Sequence, residues 1–103
     1  MPQILKFKPL SWTAHAKGKM AFYKLSPARV RRVLHSPKRI EEGVAPKTMA
    51  AMQPAQSHEI WVMFQDSPRD RKIISAWRYP GVTKPRSAAL KHILKEELEA
   101  YEK

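Results

Sequence analysis

Hydrophobic and polar residues follow two different periods along this chain, and the change of period marks its elements. Gln3–Lys8 alternates in twos and is stopped by Pro9, which predicts a short edge strand. A stripe at helical spacing follows, with Ser11 or Thr13 as the candidate N-cap, and predicts a helix that ends near Leu25. The stripe consists of Trp12, Ala16, Met20 and Tyr23.

A second helix is predicted directly after the first. Ser26-Pro27 supplies an N-cap residue followed by proline at the first helical position. Val30, Val33 and Leu34 form its apolar stripe, and Ser36-Pro37 ends it.

The rest of the chain predicts four strands and a closing helix. Arg39–Glu42 and Thr48–Gln53 read as two short strands, and Glu59–Asp66 with Arg71–Tyr79 reads as a β-hairpin rich in aromatic and β-branched residues. Ser87–Lys103 carries its apolar residues on one helical face. The predicted fold is therefore a single α+β domain over residues 1–103, with two N-terminal helices packed on a mostly antiparallel β-sheet and a C-terminal helix.

The hairpin register divides its residues between two faces. If Asp66 pairs with Arg71, one face carries Phe64, Val62 and Ile60 and packs on helices. The other face grades from apolar to charged and is predicted to be a partly exposed binding surface. It carries Trp61, Met63, Lys72 and Ile74, and pairs Glu59 with Arg78.

The excess of basic residues indicates that this globular domain has a polyanionic partner. The first forty residues hold ten Lys and Arg and no Asp or Glu, and the whole chain carries a formal charge of +11. Such a surface repels itself, so nucleic acid is the leading partner class. The acidic groups collect in the last eight residues, which hold four Glu and one Lys. They are predicted either to contact the basic surface or to be solvated.

The composition also excludes several classes of site. The chain contains no cysteine, which removes disulfides, thiolate catalysis and the common zinc spacings. It contains no phosphate-cradling glycine loop, since there are only three glycines. The sequence therefore predicts no metal centre and no cofactor. With no signal-like or membrane-spanning run, it predicts a cytosolic protein without a membrane partner.

His15 and Lys19 are the first candidates for chemistry, because a spacing of four places them on one helical face. A neutral imidazole next to a cation suits RNA cleavage. The imidazole takes the proton of a 2′-hydroxyl, and the cation stabilises the charge that develops on phosphorus oxygens. The alternative is a histidine with a local hydrogen bond beside a solvated lysine.

Further candidates lie on the hairpin and around the second helix. Arg78 at the end of a strand could contact a phosphate, and Trp61 or Tyr79 could stack on a base. The opposing interpretation is that Arg78 pairs with Glu59 and that the aromatic rings belong to the core. The basic residues predicted to bind phosphates are Arg29, Arg31, Arg32, Lys38, Arg39 and Lys72.

One run of residues resembles a known family. His15-Ala16-Lys17-Gly18-Lys19-Met20, followed by Tyr23, Leu25-Ser26, Val30, Val33-Leu34 and Pro37, is similar to domain of unknown function family 4258. The resemblance covers residues 13–37, with a looser likeness through the hairpin. The family usually has arginine where this chain has Lys19, which keeps the charge but lacks the bidentate fork.

That family is in turn similar to RelE- and BrnT-like toxins. The resemblance implies a RelE-like fold, metal-independent cleavage of RNA that can be ribosome-associated, and inhibition by an antitoxin protein. It carries over to His15 and Lys19 only, and Arg78 rests on topology. Two rival functions stay open: a non-catalytic nucleic-acid-binding module, and an interaction protein that binds an acidic partner.

Overall fold

The computed structural model describes residues 8–103. The predicted strand Gln3–Lys8 thus lies outside the described residues except for Lys8, which is in no strand. The first strand, β1, is Leu10–Trp12, three residues that follow Pro9. Trp12 was predicted to be in the helical stripe, but it belongs to β1.

Two capped helices follow β1. Helix α1 spans Ala14–Tyr23, and the Thr13 hydroxyl accepts a hydrogen bond from the Ala16 amide, so the second of the two predicted caps is the one used. The α1 helix ends at Lys24, whose φ of 57° is left-handed. Helix α2 spans Pro27–His35 with Ser26 as N-cap and proline in its first turn, as predicted.

Four further strands and a last helix complete the chain. They are β2 (Arg39–Glu42), β3 (Thr48–Pro54), β4 (His58–Asp66), β5 (Arg71–Pro80) and α3 (Ala88–Glu102). The strand order in the sheet is β1-β5-β4-β3-β2, and every neighbouring pair is antiparallel except β1 with β5. The predicted α+β class with a C-terminal helix is confirmed.

The β4–β5 hairpin contains an irregularity that the predicted register lacks. Asp66 pairs with Arg71 and Phe64 with Ile73, but Met63 pairs with Ser75, so one extra residue is accommodated on β5. Beyond this bulge every β5 side chain moves to the other face of the sheet. The predicted pairing of Glu59 with Arg78 is wrong, because Arg78 pairs with Ile60 and Glu59 with Tyr79.

The sheet is covered on both faces. Helices α1 and α2 bury one face, whose central residues include Val62 and Ile73. Helix α3 buries the other face, where Trp61 and Met63 lie under Leu94. The face that was predicted to be a partly exposed binding surface is therefore a second hydrophobic core, because α3 packs on it. No helix among residues 8–103 is both long and apolar enough to cross a membrane.

Candidate nucleic-acid interface

The start of α1 faces the middle of α3 through a polar cluster centred on Glu97. One turn separates His15 from Lys19, and both side chains reach the Glu97 carboxylate. The Lys19 ammonium donates to Oε2 at 2.8 Å, and His15 Nε2 lies 3.6 Å from Oε1. The buried Ser75 hydroxyl of β5 donates to Oε1 at 2.5 Å. Among the glutamates of the Glu-rich end, Glu97 thus contacts the basic residues of α1.

One aromatic side chain, Tyr101, and one basic side chain, Lys72, belong to the same cluster. The Tyr101 ring lies 6.5 Å from the His15 ring, centroid to centroid. Lys72 Nζ lies 3.5 Å from the Tyr101 hydroxyl and 6.0 Å from the centre of its ring. Lys72, predicted as a phosphate contact, therefore lies near His15 and not near α2. We call His15, Lys19, Lys72, Ser75, Glu97 and Tyr101 the Glu97 cluster.

The geometry of the Glu97 cluster places a carboxylate beside His15 and pairs the same carboxylate with Lys19. His15 Nε2 is buried without a hydrogen-bond partner among the described residues, and 3.6 Å to Glu97 is longer than a hydrogen bond. The carboxylate therefore faces that edge of the imidazole without a hydrogen bond to it. Lys19 already has a carboxylate partner, so less of its charge is available to a phosphate than the sequence suggested.

Arg78 does not converge with His15, contrary to the predicted catalytic set. Its Nε donates to the Tyr23 carbonyl at 2.8 Å, and one terminal nitrogen lies 3.4 Å from the Lys24 carbonyl. These contacts satisfy carbonyl groups at the C-terminal end of α1. His15 is at the opposite end, eight helical positions from Tyr23, which corresponds to about 12 Å along the axis.

Three arginines instead come together at the C-terminal end of α1. Arg29 and Arg32 lie on one face of α2, and Arg78 reaches them from β5. Burial, and then repulsion from the guanidiniums of Arg32 and Arg78, hold the pKa of Arg29 below its ordinary value. Arg29 thus lies close enough to both of the other guanidiniums to be repelled by them. We call Arg29, Arg32 and Arg78 the arginine cluster.

Neutral groups hold two of the three arginine side chains in place. Gln53 of β3 accepts from Arg29 at 2.6 Å and donates to the carbonyl of Arg32 at 3.1 Å. His58 Nε2 lies 2.7 Å from a terminal nitrogen of Arg78, a distance that requires an unprotonated Nε2 as acceptor. The side chains of Arg29 and Arg78 are therefore held without a carboxylate, whereas the Arg32 side chain is exposed and has no hydrogen bond among the described residues.

The other residues predicted to contact RNA differ in their surroundings. Arg31 and Lys38 are exposed, and Arg31 also lies over the Trp12 ring at 5.4 Å. Tyr79 is half-buried and packs with the core under α3, on the opposite side of the sheet from α2. Arg31 and Lys38 remain available to a partner, whereas Tyr79 is not next to the arginine cluster.

Two predicted contacts are removed by burial or pairing. Trp61 is fully buried under α3, so its ring cannot stack on a base. Arg39 pairs with Glu41 at 3.0 Å and with Glu59 at 3.5 Å, and it lies over the Trp61 ring. Arg39 is therefore a structural residue, since its charge is balanced by two buried carboxylates.

Sequence reasoning missed five residues of these sites. Gln53 and His58 contact the arginine cluster, and Ser75, Glu97 and Tyr101 complete the Glu97 cluster. Their roles depend on strand register and on the packing of α3, for which the sequence has no local signal.

The exposed Phe22 was missed for a different reason. It lies off the Ala16 and Met20 stripe of α1, so helical periodicity alone could have indicated that it faces solvent.

Comparison with family models, with curated proteins and with solved structures gives no match for this chain.

Proposed function

We propose that this protein is a cytosolic RNA-binding protein whose arginine cluster binds phosphates. The observation that carries the proposal is that none of Arg29, Arg32 and Arg78 forms an ion pair with a carboxylate within residues 8–103. A folded chain that holds three guanidiniums together against their repulsion gains from an anion that bridges them. Guanidinium groups suit phosphates because they donate two parallel hydrogen bonds.

The distribution of the carboxylates also favours the arginine cluster as the binding site, because they pair with other basic residues. Glu41 and Glu59 pair with Arg39, Asp66 pairs with Arg71, and Glu97 pairs with Lys19. Helix α2 carries three arginines and no acidic residue. The arginine cluster, unlike Lys19, Arg39 and Arg71, is therefore open to an external polyanion. The resemblance of residues 13–37 to family 4258, and through it to RNA-cleaving toxins, favours RNA as this polyanion.

Charge reversal at Arg32 tests this function with little risk to the fold. Arg32 is exposed, and its side chain makes no hydrogen bond or ion pair among the described residues. Arg32→Glu should weaken binding of a labelled oligouridylate about tenfold or more, and lower the salt dependence by about one ion. Lys91→Glu on the exposed side of α3 makes the same change in net charge and should leave affinity nearly unchanged.

Fluorescence anisotropy across a series of salt concentrations measures both quantities. Equal losses in the two variants would reduce the effect to net charge and contradict a binding site at the arginine cluster. Absence of RNA binding, together with salt-sensitive binding of an acidic protein, would favour the interaction-protein alternative.

A second candidate function is metal-independent cleavage of the bound RNA at His15. It is favoured by the carboxylate of Glu97 facing the buried Nε2 of His15. In this reaction Nδ1 of the imidazole takes the proton of a 2′-hydroxyl, because Nε2 is buried. The 2′-oxygen then forms a bond to phosphorus, and the bond to the 5′-oxygen breaks as that oxygen takes a proton from water. Because α1 joins His15 to the arginine cluster over about 12 Å, one RNA strand could contact both.

A further inference from the structure

The aromatic side chain of Phe22 is turned out to solvent on α1. It is 76% exposed, whereas the other aromatic residues among residues 8–103 are buried or half-buried. A large exposed ring loses the hydrophobic stabilisation that burial would provide. The ring is held by an edge contact with Tyr23, at a centroid distance of 4.8 Å and an interplanar angle of 83°.

The exposed ring belongs to the same end of α1 as the arginine cluster. Tyr23, the next residue, has its carbonyl bonded by Arg78, and the exposed Lys24 follows. The exposed ring is thus one residue along the chain from the carbonyl that Arg78 bonds and two residues from the exposed Lys24. This is the combination with which proteins bind single-stranded nucleic acid: cations along the backbone and a ring against a base.

The surface of α1 next to Phe22 has no side chain at Gly18, one turn away. Gly18 lies one turn before Phe22, and a side chain added there would meet no other atom within 4 Å. No packing within the described residues explains a glycine in the middle of this helix, where it is less favourable than alanine. The small residue leaves space beside the ring for a planar ligand.

We propose that Phe22 stacks on a base of single-stranded RNA whose phosphates bind the arginine cluster. The inference rests on the proposed RNA-binding function and specifies its substrate class. In a duplex the faces of the bases are covered by their neighbours, so a ring on a helix surface cannot stack on them. Stacking therefore makes the site selective for unpaired RNA, while the arginines supply affinity without sequence preference.

Three probes separate the ring from the charges: an oligouridylate, an oligomer of the same length with abasic riboses, and an RNA duplex. Phe22→Ala should weaken binding of the oligouridylate roughly 5- to 150-fold, the range for loss of one base–aromatic stack. It should leave binding of the abasic oligomer and the duplex within about twofold, because the phosphate contacts are intact. Phe22→Tyr should bind as the wild type does.

Phe22→Leu is the matched control for simple hydrophobic contact. Leucine keeps most of the apolar surface but has no π face, so it should bind the oligouridylate nearly as weakly as Phe22→Ala. Substitutions at this exposed position should leave the midpoint of urea unfolding nearly unchanged, which shows that the fold is intact.

The outcomes distinguish this inference from the function on which it rests. If the wild type binds the oligouridylate and Phe22→Ala binds it equally well, stacking is wrong while RNA binding stands. Equal weakening of the abasic oligomer would also overturn stacking, because that probe has no bases. If the wild type binds none of the three probes, both proposals fail.

Discussion

Glu59→Ala is expected to lower the free energy of unfolding by about 3–5 kcal/mol, the range for removing one partner of a buried ion pair. Glu59 is 2% exposed, and its Oε1 accepts from the Trp61 indole, from the Thr83 amide and from the Thr83 hydroxyl. Its Oε2 faces Arg39 at 3.5 Å. Alanine would leave these donors buried without an acceptor, and would release the segment between β5 and α3 from the sheet.

Glu42→Ala is the matched control, because Glu42 is exposed on β2, the edge strand of the same sheet, and its side chain has no hydrogen bond among the described residues. It should change stability by about 0.5 kcal/mol or less. Urea unfolding followed by tryptophan fluorescence measures both variants, with an unchanged m-value showing that the unfolding transition is comparable. A Glu59→Ala protein within about 1 kcal/mol of wild type would contradict the anchoring role of this carboxylate.

His15→Ala is expected to reduce RNA cleavage about 10²- to 10⁴-fold, the contribution typical of one general acid or base. The assay is the conversion of a labelled oligoribonucleotide to shorter products in the presence of EDTA. Binding of the same RNA should change little, because the arginine cluster lies about 12 Å away along α1. A loss in turnover without a loss in affinity is the signature of a residue that acts on the reacting atoms.

His92→Ala controls for loss of a histidine elsewhere. His92 is exposed on α3 and pairs only with Glu96 among the described residues, at 3.2 Å. Its substitution should leave cleavage unchanged. Equal activity of His15→Ala and wild type would refute the assignment of His15. Absence of cleavage by the wild type would refute the enzyme candidate and leave the binding proposal intact.

The helices and strands of this fold were predicted well where a capping residue or a pair of opposite charges marks their ends. Ser26 followed by Pro27 marked the start of α2, and Asp66 with Arg71 marked the hairpin end, where the two side chains form a 2.7 Å ion pair. These signals act between neighbours in sequence or across one turn. The bulge near Ile74 has no such signal, and it redirected Arg78 from Glu59 to α1.

The candidate sites were harder to predict because they depend on packing between distant elements. His15 and Lys19 share a face as their spacing requires, but their common partner, Glu97, lies on α3 and lowers the availability of the Lys19 charge. Trp61 was predicted to be an accessible aromatic residue because the sequence does not show that α3 packs over that face of the sheet. Long-range packing of this kind overrides alternation along a strand.

The central claim is that RNA occupies the surface formed by α1, α2 and the arginine cluster. Titration of the isotope-labelled protein with an oligouridylate, followed by NMR, tests it most directly. The account predicts that the side-chain Nε–H signals of Arg29, Arg32 and Arg78 and the amides around Phe22 shift together. Signals of Lys91 and Lys95 on α3 should stay in place. Shifts confined to α3, or no shifts at a concentration where the RNA is bound, would contradict it.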